Sequence, residues 1–355
     1  MNPVIFDRSF SRRRFLAVSS AVTLTAFSAL AGCGPTGAAT AGAASGSSSS
    51  AGPAAKEVKF ASLIPGSGKL YGFGSVAQGE GFLKEELEKE GFTYSIHDLG
   101  ASGGPAVNEA MTSGAIDMAI YGDFPAITAI SKGSGVRIFA SADSREPSNI
   151  LATAKSGIKG VKDLKGKKVI APLGTVPYKS FTEILALNGM SVKDMEIVNA
   201  ASDATSVLSS GQADAMVSNA ASNYYMEEKG IGKVVASTDD SPETQDSSVV
   251  LVGRTGFSDE NPKAVRAVVR ALQRAYEFAQ DNPEKAWKDI SNPSMPESVV
   301  KRLYPQDTFA RFDPRFSEQQ RKNLEKSVDY MVDNKLISKK ISLDEAIDEG
   351  PLKSL

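Results

Sequence analysis

The sequence predicts an α/β protein of two lobes, each a mostly parallel sheet flanked by helices, with two hinge strands between them. Three observations carry this reading. Short apolar runs alternate with helical stretches in the order βαβαβ, which implies parallel strands joined by crossover helices. That order occurs twice. Met111-Thr112-Ser113-Gly114-Ala115-Ile116-Asp117 also matches Leu208-Ser209-Ser210-Gly211-Gln212-Ala213-Asp214, an offset of 97 residues. In both copies Ser-Gly ends a helix and Asp precedes an apolar strand.

The elements follow in order. Lys59–Ile64 is a strand. Phe82–Gly91 is a charged helix closed by Gly at its C-terminal end, with Glu85, Glu86, Glu88 and Glu90 on a solvated face. Tyr94–Leu99 is a strand, Pro105–Ser113 a helix and Asp117–Tyr121 a strand. The second unit repeats this with a strand at Lys168–Leu173, a helix at Phe181–Gly189 and a strand at Glu196–Asn199. Asn149–Ala154 and Ser247–Val252 are extended, apolar and flanked by polar residues, as hinge strands should be. Asn261-Pro262 and Asn282-Pro283 each open a helix with Pro at its first position, and further helical segments follow near 296–304, 317–335 and 342–348.

The first fifty-odd residues stand outside this plan. Arg8, Arg12, Arg13 and Arg14 form a basic region before a weakly apolar run, Phe15–Ala31, of 17 residues including five Ser or Thr. That run is too short and polar for a membrane span. Ser11-Arg12-Arg13-Arg14-Phe15-Leu16 looks like a twin-arginine export signal. Leu30-Ala31-Gly32-Cys33 resembles a bacterial lipobox, in which Cys33 is lipidated and becomes the first residue. Cleavage there removes four Arg and Asp7, taking the net charge from -2 to -5. Residues 34–55 carry no charge and read as a flexible tether with a reach of roughly 25 Å. The expected division is 1–32 for the signal peptide and 33–55 for the lipidated Cys33 with its tether. Residues 56–152 with 248–355 form lobe 1 and its C-terminal helices, and 153–247 form lobe 2. The expected location is extracytoplasmic, on the periplasmic or outer face of a membrane.

Composition narrows the function. Of 355 residues 41% are apolar and 23% charged, with Lys+Arg 40 against Asp+Glu 42, one Cys and one His. That balance offers no general attraction to nucleic acid. One Cys excludes a disulfide framework and a Cys-based zinc cluster, and His97 alone argues against a His-dependent triad or a multi-His metal site. The composition favours a binder over an enzyme; the expectation is a monomer that binds a small-molecule solute, with no cofactor and no metal.

In parallel α/β sheets ligands bind at the carboxyl ends of strands, near helix N-termini. Five loops occupy those ends: Pro65–Gln78, Gly100–Pro105, Tyr121–Pro125, Gly174–Tyr178 and Ser218–Tyr225. Three carry Pro near the first helical turn (Pro105, Pro125, Pro177) after the capping residues Ser102, Asp123 and Thr175. Free N–H groups there suit an anion; the alternative is plain helix capping. Tyr71, Phe73, Tyr121, Tyr178, Tyr224 and Tyr225 are candidates to wall an organic ligand, the last two equally candidates for helix packing. Asn219 and Asn223 sit on the fifth loop. Gly66-Ser67-Gly68-Lys69-Leu70 is no phosphate-binding loop, since that motif needs Gly at 63 and Ser or Thr at 70, where this chain has Leu63 and Leu70. Asp117 and Asp214 precede their strands and read as turn residues.

Residues 56–345 resemble the periplasmic solute-binding proteins of ABC importers with the type II fold, in the family that includes aliphatic-sulfonate, taurine and nitrate binders. The markers are Gly114-Ala115-Ile116-Asp117, Gly122-Asp123-Phe124-Pro125, Val161-Lys162-Asp163-Leu164-Lys165-Gly166-Lys167-Lys168-Val169, Gly211-Gln212-Ala213-Asp214-Ala215, and Asn261-Pro262 before a long helix. The resemblance implies solute contacts from Ser102-Gly103, Gly122-Asp123 and Gly174-Thr175, and an ABC permease as partner, with the membrane reached through the lipid anchor only. This chain departs from sulfonate binders at Thr175-Val176-Pro177-Tyr178 and at Asn219-Ala220-Ala221, which leaves the solute open. Two other classes share the fold: a hydroxymethylpyrimidine-synthase-like enzyme, which implies a pyridoxal phosphate Lys and a reactive His, and a sensory ligand-binding lipoprotein.

Overall fold

The computed structural model describes residues 55–100, 103–200, 204–240, 244 and 247–355. The signal, the Cys33 anchor, the tether and Ser102 lie outside them. Ten strands build two sheets. β1 (Lys56–Ser62), β2 (Phe92–Asp98), β3 (Met118–Gly122), β4 (Val136–Glu146) and β10 (Ser247–Arg254) form one, in the order β2-β1-β3-β10-β4. β5 (Ser148–Ala152), β6 (Lys168–Ile170), β7 (Glu196–Val198), β8 (Ala215–Asn219) and β9 (Lys233–Ser237) form the other, in the order β7-β6-β8-β5-β9. The two orders are the same plan.

In the first sheet β1 pairs parallel to β2 and β3, and β10 pairs antiparallel to both β3 and β4. β10 is thus the one reversed strand. In the second sheet β5 plays that part against β8 and β9. Both sheets are mostly parallel, as the crossover pattern predicts.

The two hinge segments are these reversed strands, which corrects a boundary. Residues 148–152 belong to the second sheet, with Ile150 opposite Val217 and Ala236, so lobe 1 stops short of 152 and the chain crosses at Pro147. Proline lacks the N–H that would continue a ladder, and its carbonyl accepts instead from Ala220 N at 2.8 Å. An apolar run such as Ile150-Leu151 does not by itself say which sheet it joins.

The repeated heptad has a structural reason. Asp117 N donates to Lys59 O at 2.8 Å and its carboxylate accepts from Lys59 N at 3.1 Å. Asp214 does the same with Lys168, at 2.8 and 2.9 Å. Each Asp clips the start of one strand to the start of its neighbour, far from the carboxyl ends. Arg254 adds a 2.7 Å ion pair to Asp117.

Helix Pro262–Asp281 covers the first sheet with Val265, Val268, Leu272, Ala275 and Ala279. It also overturns one expectation. Glu86 is buried rather than solvated, at 5% exposure. It accepts from Arg270 and Arg274 at 2.9 Å and from Lys89 at 2.7 Å. Burial alone raises this carboxyl, but the bonds from Lys89, Arg270 and Arg274 outweigh it and hold the group at about 2. Charge periodicity cannot separate a solvated glutamate from one facing cations on a helix almost 200 residues away.

A folded value below the unfolded one means stability present at neutral pH and lost on acidification. The Glu86 contribution is therefore expected to be complete above about pH 4.5 and to disappear as pH falls toward about 2. Glu86→Gln should lower stability at pH 7 by roughly 3 kcal/mol. Urea unfolding from pH 7 to pH 2.5 should show the variant and wild type converging at the acid end. A constant gap would assign the loss to packing.

Candidate functional site

The strand carboxyl ends of both sheets meet where the chain crosses between lobes. From lobe 1, β3 runs through Gly122 into helix Asp123–Ser131. Asp123 is 1% exposed, and its carboxylate accepts from Ser327 Oγ at 2.9 Å and from its own neighbour Phe124 N at 2.8 Å. From lobe 2, helix Val176–Leu187 starts after Thr175, and its first turn carries Lys179, 2% exposed. Burial raises the Asp123 carboxyl, while Ser327, the Lys179 ammonium and the backbone of Phe124 and Ser248 pull it down. Lys179 also lies 3.4 Å from Glu183. A buried carboxylate of one lobe and a buried ammonium of the other thus share one electrostatic environment across the boundary.

Beside them, β4 ends on Asp143, Ser144, Arg145 and Glu146. Arg311 grips Asp143 with two bonds, 2.7 and 2.9 Å. Tyr71 donates to Glu146 at 2.6 Å, and its oxygen lies 3.4 Å from that of Tyr304. The loop carrying Tyr71 is pinned. Lys69 donates to the carbonyls of Asp289 and Ser291, both at 2.7 Å, closing the C-terminal end of helix Pro283–Ile290. That is the role of the lysine in the Gly-Ser-Gly-Lys run.

Just past the crossing, Asn149 and Asn223 are both fully buried. Asn223 Nδ2 donates to Asn149 O at 2.7 Å, yet among the described residues Asn149 Nδ2, Asn149 Oδ1 and Asn223 Oδ1 find no hydrogen-bond partner. Each such atom costs about 1–3 kcal/mol when left unmatched, a cost that a water or any other hydrogen-bonding group at this position would remove.

The predicted residues divide. Asp123, Thr175, Tyr178, Tyr71, Asn219 and Asn223 lie on loops and helix starts at this boundary. Thr175 is a true cap, accepting from Tyr178 N at 3.3 Å while donating to Pro172 O at 2.7 Å. Asn219 caps its helix from Ser222 N at 2.9 Å. Gly103 takes φ +71, and at Gly104 a Cβ would come within 2.2 Å of Pro125. Gly104 thus serves helix packing, whereas Gly103 serves the backbone turn.

Tyr121 is a correction. Its ring is 2% exposed and its hydroxyl donates to Asn108 at 2.9 Å, beneath helix Gly103–Thr112. Neighbouring strand residues face opposite sides of a sheet, so Tyr121 belongs to the lobe 1 core. Phe73 likewise stacks on Phe312, centroids 4.0 Å apart, and Tyr224 packs beneath Arg302 at 3.8 Å. Sequence reasoning missed Lys179, Glu146, Asn149 and Arg311. Lys179 left one signal, since a cation in a first helical turn opposes the helix dipole.

Among the described residues no group of three or more His, Cys, Asp or Glu is arranged for a metal, and no helix is long and apolar enough to cross a membrane. His97 is exposed on β2, 3.2 Å from Ser95 Oγ.

A family model described as NMT1/THI5 like matches residues 67–286. The chain belongs to the NMT1/THI5-like family. Within it, the chain is 25% identical over 285 residues to a putative aliphatic sulfonates-binding protein of Bacillus subtilis, covering 78% of this chain and 83% of that one. It is 24% identical over 226 residues to a 4-amino-5-hydroxymethyl-2-methylpyrimidine phosphate synthase of Saccharomyces cerevisiae, covering 60% and 64%. A crystal structure of a putative periplasmic sulfonate-binding protein from Methylobacillus flagellatus superposes with TM-score 0.72 at 28% identity, covering 85% of this chain and 94% of the other. The fold is therefore that of periplasmic binding proteins, and the family holds binders and an enzyme.

Proposed function

We propose that this NMT1/THI5-like protein is the extracytoplasmic solute-binding component of an ABC importer. It captures a small organic solute between its lobes and delivers it to a membrane permease. The observation that carries the reading is that Asp123 of one lobe and Lys179 of the other, both buried, act on each other electrostatically across the boundary that also holds the buried amides of Asn149 and Asn223. A solute at this boundary favours the closed arrangement by touching both lobes at once. The helix starts at Val176 and Ala220 turn the positive ends of their dipoles toward this boundary, which favours an anionic end there. The names of the Bacillus and Methylobacillus relatives make a sulfonate the first candidate for that end. In this reading residues 1–32 are removed on export, Cys33 carries lipid, and residues 34–55 hold the monomeric binding unit beside the membrane.

A thermal-shift screen of the processed protein tests the proposal, using sulfonates, nitrate, carboxylates and pyrimidines. A ligand at 100 times its Kd stabilises the bound form by about 2.7 kcal/mol, which corresponds to roughly 5–10 °C in a chain of this size. Any stabilising compound should be recovered unchanged. Its conversion to a new product would replace the importer with an enzyme like the Saccharomyces relative.

A further inference from the structure

Glu146 ends β4, one residue before the crossing at Pro147, and is half-buried. Tyr71 donates to one carboxylate oxygen at 2.6 Å. Among the described residues no cation forms an ion pair with it. Each nearby positive group is engaged elsewhere: Arg311 on Asp143 with two bonds, Arg145 on Thr238 O and Asp239, and Lys179 on Glu183 and beside Asp123. The remaining neighbours are the Tyr304 hydroxyl, 3.4 Å from Tyr71, and the carboxylates of Asp143 and Asp123. Burial, followed by these like charges, pushes the Glu146 carboxyl up to about 7, against the opposing pull of Tyr71 and Arg311.

We propose that Glu146 reads a protonated nitrogen on the solute, so that the cleft takes a cation-bearing or zwitterionic organic molecule in preference to a plain sulfonate or carboxylate. This rests on the solute-binding reading above. A partly desolvated carboxylate at a ligand boundary, held by a single phenol and flanked by two other carboxylates, is short of positive charge. A solute ammonium or amidinium supplies it. The rest of the molecule then lies away from Asp143 and Glu146, toward the second lobe and the helix start at Val176. A solute with only an anion meets like charge on the Glu146 side.

The test is titration calorimetry of the processed protein at pH 7, in two buffers of different ionisation enthalpy. The probes are matched pairs: 3-aminopropane-1-sulfonate with propane-1-sulfonate, 4-aminobutyrate with butyrate, and benzylamine with benzyl alcohol. The nitrogen-bearing member of at least one pair should bind tenfold or more tightly. It should also release about half a proton per site, because a carboxyl titrating near 7 is half-protonated there and a bound cation drives the proton off. Glu146→Gln still accepts from Tyr71, so it should melt close to wild type, yet lose both the preference and the release. Glu146→Asp keeps the charge and should keep the release, which covers the case in which the Gln variant folds poorly. Proton uptake on binding, equal or inverted preference within the pairs, or a preference that survives Glu146→Gln overturns the inference alone. A flat response to every probe, with a flat thermal-shift screen, overturns the solute-binding reading and this inference with it.

Discussion

Lys179→Met is expected to lower the melting temperature by roughly 6–20 °C and to abolish solute-induced stabilisation. The ammonium is 2% exposed, pairs with Glu183 at 3.4 Å and pulls the equally buried Asp123 carboxyl down from the other lobe. Removing one partner of a buried pair costs about 3–5 kcal/mol, because the other charge stays desolvated, and each kcal/mol shifts melting by roughly 2–4 °C. Without Lys179, Ser327 and the backbone of Phe124 and Ser248 still support Asp123, but the electrostatic pull from Lys179 of the second lobe is lost. The double variant Asp123→Asn/Lys179→Met should recover part of the loss, since the buried Asp123 charge is then gone and only the partly exposed Glu183 loses its cation. Glu183→Gln is the control: its partly exposed side chain, 3.4 Å from the ammonium, should cost less than about 1 kcal/mol. Strict additivity in the Asp123–Lys179 cycle would show that the two residues do not couple the lobes.

Cys33→Ser is expected to move the processed protein almost entirely from the membrane fraction to the soluble fraction. A single acyl chain binds only marginally, whereas a di- or triacylated cysteine holds firmly. The tether of residues 34–55 has neither charge nor a long apolar run with which to bind a bilayer. Fractionation of a bacterial host expressing both forms, with a carbonate wash, decides the matter. A Cys33→Ser variant still retained after that wash would mean another part of the chain holds the membrane.

Much of the fold was legible in the sequence because its signals are local. Alternating apolar runs and helix caps depend on neighbours within about one or two turns, so the βαβαβ order and the doubled plan could be read directly. The heptad ending in Asp117 and Asp214 is the clearest case: each Asp ties its own strand start to an adjacent one, at nearly the same distances in both lobes. The sequence also located the loops at the strand carboxyl ends, and Thr175 caps its helix as the loop chemistry predicts, whereas the expected cap Asp123 is the first helical residue after Gly122 and the cap Asn219 was not foreseen.

What the sequence could not decide was which way a side chain faces once elements distant in the chain come together. Tyr121 and Asp123 stand two residues apart, yet one lies in the lobe 1 core on Asn108 and the other at the lobe boundary near Lys179. Glu86 reads as solvated until a helix from the far end of the chain lays Arg270 and Arg274 against it. Ile150 and Leu151 are equally apolar for either sheet, and only pairing with β8 and β9 assigns them to the second. The charge at the site is the same kind of fact. Asp123, Asp143 and Glu146 come from the first half of the chain, Lys179 from the middle and Arg311 from near its end. Composition counts these charges and periodicity places them on elements, but their pairing exists only after the chain has crossed at Pro147 and returned through β10. Local sequence thus determined the elements and their order. Burial and charge pairing, which depend on contacts between elements far apart in the chain, were decided by the tertiary structure.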